Sequence, residues 1–182
     1  MKKIKHAIWL VLPMMVILTS CDPKVNRVEP SPSEVDGWAP VYAKDGTAEV
    51  INSVQPREIE NGGKIYVKGN TLYQVEVGKG IHVIDITDRN NPTKVRFINV
   101  IGAQEMSIKN NNLYTNNVND LVVVDITNIN EVKLLDRVSG VFHLVDPTLP
   151  PSPGYFECVD AKQGVVVGWE QKLLHNPVCR KN

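Results

Sequence analysis

Residues 80–88, GIHVIDITD, return 40 residues later as residues 120–128, DLVVVDITN. Each copy is a β-branched apolar run that ends in Asp-Ile-Thr, which reads as a buried strand entering a turn. A spacing of about 40 residues is the size of one four-stranded propeller blade. The phrase speaks to architecture. It carries no catalytic or cofactor signature.

The first copy sits in a run of short strands separated by turn residues. Lys64–Lys68 ends at Gly69-Asn70, Thr71–Val77 alternates apolar and polar positions, Gly78-Lys79-Gly80 turns the chain, and Lys94–Val100 makes a fourth strand after Ile81–Ile86. The second copy repeats the cycle with Met106–Lys109, a turn at Asn110-Asn111-Asn112, Leu113-Tyr114, Leu121–Ile126 and Val132–Val138. Leu72-Tyr73 matches Leu113-Tyr114 at an offset of 41, while Asp85-Ile86-Thr87 matches Asp125-Ile126-Thr127 at 40. One residue therefore drops out of the intervening turn.

Leu121-Val122-Val123-Val124-Asp125, with the weaker Ile81-His82-Val83-Ile84-Asp85, resembles the LVIVD-repeat family, propeller-like proteins found among lipoproteins of Bacteroidetes-type bacteria. The resemblance covers about residues 62–140, and Tyr155–Asp160 and Gly164–Glu170 look similar to tails of short lipoproteins of that kind. It implies a β architecture and a place in the cell envelope, and no settled activity. Closed propellers need four to eight blades. Two repeats, interrupted afterwards by Pro147, Pro150, Pro151 and Pro153, predict an incomplete propeller with outer faces that something must cover: the tail, the N-terminal extension or a second copy.

The N-terminus reads as an export signal, because Lys2, Lys3 and Lys5 precede an apolar run from Ala7 to Leu18 that is too short to span a bilayer. Leu18-Thr19-Ser20-Cys21 resembles a bacterial lipobox, which makes Cys21 the expected lipidation site. Each buried methylene adds about 0.8 kcal/mol of membrane affinity, so several acyl chains on one residue hold a protein essentially permanently. Asp22 resembles a retention residue used in some bacteria, but the leaflet stays undetermined. Without residues 1–20 the chain has 17 basic and 20 acidic side chains, an excess of acid that argues against nucleic acid as a partner.

The remaining cysteines, Cys158 and Cys179, are expected to form a disulfide in an oxidising compartment. The alternatives are two free thiols or half of a metal site, for which only His175 lies near. The fold class expected is all-β: two consecutive blade-like antiparallel four-stranded sheets, an incomplete propeller, with a disulfide-pinned C-terminal strand. The domains expected are a signal peptide over 1–20, a tether or linker over 21–50, a two-repeat domain over 51–142, and a Pro-rich loop and tail over 143–182 packing on it. Trp38, Val41 and Tyr42 are candidates for docking onto the core.

Candidate chemistry is sparse. Asp85 and Asp125 fall at equivalent strand ends, where a carboxylate caps the next turn, and a structural role is expected. His82, His143 and His175 have no nucleophile in a recognisable setting, and no catalytic residue, metal ligand or cofactor is assigned. Asn116 and Asn117, with Tyr114 and Trp169, form the expected ligand surface, since amides beside aromatic rings suit sugars. The leading expectation is a membrane-anchored envelope lipoprotein acting as a non-catalytic binding or scaffolding module. Its partners would be the membrane, through the lipid, and an unidentified envelope protein or glycan. The alternatives are a glycan-acting hydrolase using unpaired acids such as Glu105 or Glu157, and a structural subunit that self-associates as a homo-oligomer.

Overall fold

The computed structural model describes residues 31–182; the expected signal peptide, Cys21 and the start of the tether lie outside the described residues. The strands run in chain order as β1 (Glu34–Ala43), β2 (Asn52–Val54), β3 (Gly62–Lys68), β4 (Thr71–Glu76), β5 (Gly80–Asp85), β6 (Thr93–Asn99) and β7 (Met106–Lys109). They continue as β8 (Asn112–Asn117), β9 (Asp120–Asp125), β10 (Lys133–Val138), β11 (Gly154–Phe156), β12 (Val165–His175) and β13 (Cys179–Lys181). The fold is all-β, as the repeat predicts.

The two repeats make two antiparallel sheets, in the orders β2-β6-β5-β4-β3 and β10-β9-β8-β7. The first has five strands, because β2 adds to the outer edge of β6 through Asn52↔Asn99 and Val54↔Phe97. β2 also reaches the second repeat, where the Ser53 hydroxyl donates to the Ile129 carbonyl at 2.5 Å. Tight turns come from the residues the sequence marks. Gly69 and Asn110, both near φ +60°, serve the same hairpin position in successive repeats.

Alternation decides what holds the sheets together. Tyr73, Val75, Ile81, Val83 and Ile98 share one face of the first sheet, and Ile108, Leu113, Val122 and Val124 share one face of the second. Those two sets merge into one buried cluster. Full burial of such side chains is worth roughly 1.5–3 kcal/mol each. The linker between repeats closes tightly: Gly78 N–H donates to Ala103 at 2.7 Å, and Gly102 N–H donates back to Gly78 at 2.8 Å. Gly102 sits at φ +77°, and a Cβ there would lie 2.6 Å from the Val118 nitrogen, so only glycine fits.

A third sheet, in the order β12-β1-β11-β13, lies outside the two repeats. The tether expectation over 21–50 fails for residues 34–43, since β1 pairs with β12 from Glu34↔His175 to Ala43↔Val165. Val165-Val166-Val167 likewise extends this sheet instead of either repeat. Pro40 is tolerated in β1 because the parallel neighbour β11 pairs only at Trp38↔Phe156, leaving one side of the strand free beyond it. Gly37 lets β11 approach, as its Cβ would fall 2.4 Å from the Tyr155 carbonyl oxygen. Cys158 and Cys179 are disulfide-bonded with Cα atoms 5.4 Å apart, which ties the segment after β11 to β13.

Candidate binding cleft and a buried carboxylate–imidazole pair

The third sheet meets the β4–β5 turn of the first repeat, the inter-repeat linker and the loop after the second repeat at an open cleft of about 970 Å³. Trp38 and Trp169 line it from β1 and β12, Val77 and Lys79 from the β4–β5 turn, Gln104 from the inter-repeat linker and Leu144 from the loop after the second repeat. Each wall has a local cause. Trp169 is anchored by its Nε1–H, which donates to the Asp146 carbonyl at 2.9 Å, and by an edge-on contact with Phe156 at 5.7 Å between ring centroids. The loop wall is held by Asn119, whose Oδ1 accepts from Leu144 N–H at 2.9 Å and Val145 N–H at 3.0 Å. A concave, mostly apolar site with a few polar side chains at its rim is suited to binding.

The expected ligand surface is only partly assembled. Trp169 lines the cleft, whereas Tyr114 does not. Asn116 and Asn117 are 1% and 2% exposed, so they cannot present amides to a ligand. Their amides are spent on backbone. Asn116 Oδ1 accepts from Gln104 N–H at 2.8 Å and Glu105 N–H at 3.1 Å, while its Nδ2 donates to Gly102 at 2.6 Å. Asn117 Nδ2 donates to Ile101 at 2.7 Å and Ala48 at 2.9 Å. Buried chain turns leave orphan polar groups, and these two side chains satisfy them.

Glu76 does for the first repeat what Asn116 does for the second. Its carboxylate accepts from Asn61 N–H at 2.5 Å and Glu60 N–H at 3.2 Å, just before β3. Unlike Asn116, it also meets a buried histidine: His82 Nε2 donates to Glu76 Oε2 at 2.9 Å, with side chains 0% and 1% exposed. His82 Nδ1 is buried with no hydrogen-bond partner, and the ring packs edge-on against Phe97 at 4.9 Å. The Arg57 guanidinium covers Phe97 at 4.0 Å from the ring centroid. Burial pushes the Glu76 carboxyl up, but the hydrogen bonds from His82, Asn61 and Glu60 outweigh it and hold it below the ordinary carboxylate range. In the second repeat Val122 stands where His82 does, so the repeat fold itself has no need of a histidine there. Residues six apart become partners only because the β4–β5 hairpin folds them onto one face.

Asp85 and Asp125 behave as strand-end caps. Each Oδ1 accepts the backbone N–H two residues on, from Thr87 and Thr127, at 2.8 Å. Asp146 repeats the arrangement with Thr148. Threonine side-chain and backbone hydrogen bonds hold all three carboxyls below their ordinary range. Glu105 and Glu157 are not unpaired acids: Lys64 engages the first, and Lys172 donates to the second at 2.9 Å. His143 lines the cleft, and His175 makes an exposed contact with Glu34 at 3.3 Å. Among the described residues no three histidine, cysteine or acidic side chains converge as a metal site.

Comparison with known proteins agrees with the strand pattern. No curated protein and no solved structure matches the chain. The LVIVD repeat family matches residues 61–99 and 102–139, one match over β3–β6 and the next over β7–β10. The centre of this chain thus matches the LVIVD repeat in two consecutive copies.

Proposed function

We propose that this protein is a cell-envelope lipoprotein, anchored through Cys21, whose β-repeat body is a non-catalytic binding module. The cleft walled by Trp38 and Trp169 receives part of an envelope protein or a glycan. The cleft carries the reading: the third sheet sets two indole rings side by side on the paired strands β1 and β12 as one wall, and loop and turn residues supply the rest with Lys79 and Gln104 at hand. Rings on strands give contact area at low entropic cost, and polar groups at the rim orient a ligand. The anchor rests on the charged, apolar and small-residue order that leads to Cys21.

Two experiments test the two halves separately. Cys21→Ser should abolish incorporation of labelled palmitate and release the protein from membranes; continued labelling would remove the anchor from the account. A photo-crosslinking side chain at Leu144 should give one discrete adduct in cells, lost in Trp169→Ala. An adduct that survives Trp169→Ala together with Trp38→Ala would place binding elsewhere.

A further inference from the structure

We infer that the second repeat docks on a second copy of this chain, its free face against the same face of the partner about a two-fold axis. The internal packing supplies the template. The first sheet buries Tyr73, Ile81, Val83 and Ile98, all 0–4% exposed, in the cluster shared with the second sheet. Their counterparts in the second repeat, at the same register positions, are Tyr114, Leu121, Val123 and Val138. Strand alternation turns these four away from the shared core. Val138 is 47% exposed, and Leu135, at the adjacent β10 bulge, is 54% exposed. The side chains that join one repeat to the next are thus kept on a face where no third repeat follows, because residues 154–181 build the third sheet.

The partner is a like face and not the first repeat of another copy. The outward face of the first sheet is already closed over its central strands. Arg57 lies on Phe97, Glu60 and Asn61 N–H bind Glu76, and Lys94 donates to Glu58 at 2.6 Å. Head-to-tail stacking would strip a charged strap from Phe97 and His82, both fully buried. On the second-repeat face the linker binds Asn116 through Gln104 and Glu105 N–H, while Leu135 and Val138 stay exposed. Register sets Lys109, Lys133, Asp125 and Asp136 around its apolar centre, so two copies meet without net like charge. Contact between identical faces closes at two copies, while a head-to-tail contact propagates. Repeat arrays need polar caps on terminal faces. This chain carries its own on the first repeat, and a second copy provides the cover on the other.

The test is the mass of the full chain in detergent, by light scattering corrected for bound detergent, over a hundredfold range of concentration. Twice the chain mass is expected, falling to a single chain in the double variant Leu135→Asp/Val138→Asp with the far-UV circular dichroism unchanged. Ile65→Asp, at an edge-strand side chain of the first repeat that is itself 62% exposed, should leave the dimer intact. A single-chain mass throughout, a dimer that survives the double variant, or larger assemblies that shrink with Ile65→Asp would each overturn the inference. If the double variant loses its β signal, Val138→Cys decides in membranes: an oxidised dimer is expected there and none for Glu58→Cys, and the reverse pattern overturns it.

Discussion

His82 Nε2 lies 2.9 Å from Glu76 Oε2 inside the first sheet, both side chains sealed from solvent, while the matching strand of the second repeat carries Val122. Removing one partner of a buried hydrogen-bonded pair leaves the other unsatisfied. Glu76→Leu is therefore expected to cost about 3 kcal/mol, since His82 and two backbone N–H groups lose their acceptor. Combined with His82→Val, the loss should fall short of the sum of the single changes by about 1–3 kcal/mol. Urea unfolding of the four proteins measures this; strict additivity would show that the pair is not coupled.

Acid should expose the same carboxylate and the three aspartate caps together. Glu76, Asp85, Asp125 and Asp146 are all held below their ordinary range in the folded chain. Groups lowered by folding add stability that is complete above their unfolded pKa and lost as pH falls through the folded one. The urea midpoint should stay level from pH 7 to about 5 as far as these groups decide it, and drop below about pH 4. Asp85→Asn with Asp125→Asn should make that acid limb shallower. An unchanged limb would contradict the cap geometry.

Val118 occupies φ +54° in the two-residue turn between β8 and β9. A β-branched residue is strained there, and the first repeat uses Gly78, at φ +80°, in its own longer turn. Val118→Gly is expected to stabilise the fold by about 1 kcal/mol, the left-handed penalty less the entropy of glycine. Loss of stability in thermal unfolding would mean that the Val118 side chain contributes more than its backbone costs.

Reduction of Cys158–Cys179, 21 residues apart, should lower stability by about 3 kcal/mol through the freed loop of the unfolded chain. Cys158→Ser/Cys179→Ser should match the reduced protein and lose its response to reductant. The loss should be felt first in the third sheet, which limited proteolysis between residues 150 and 182 would report.

Much of this molecule could be read before it was seen. Period-two alternation along Thr71–Val77 and Ile81–Ile86, and its return 40 residues later, determined the strands, their order and the two sheets, because hairpin neighbours pair within a few residues of each other. Asp85 and Asp125 were legible as caps for the same reason: the N–H groups they bind are two residues away. Tertiary structure decided the rest. β1 pairs with a strand some 130 residues distant, and no local pattern in Glu34–Ala43 announces that partner. Asn116 and Asn117 look like surface amides until the linker carbonyls at Ile101 and Gly102 arrive to consume them. The cleft exists only where the third sheet meets the turn of the first repeat and the loop after the second. Local hydrogen bonds and alternation are encoded residue by residue, whereas exposure depends on which distant segment reaches a side chain first.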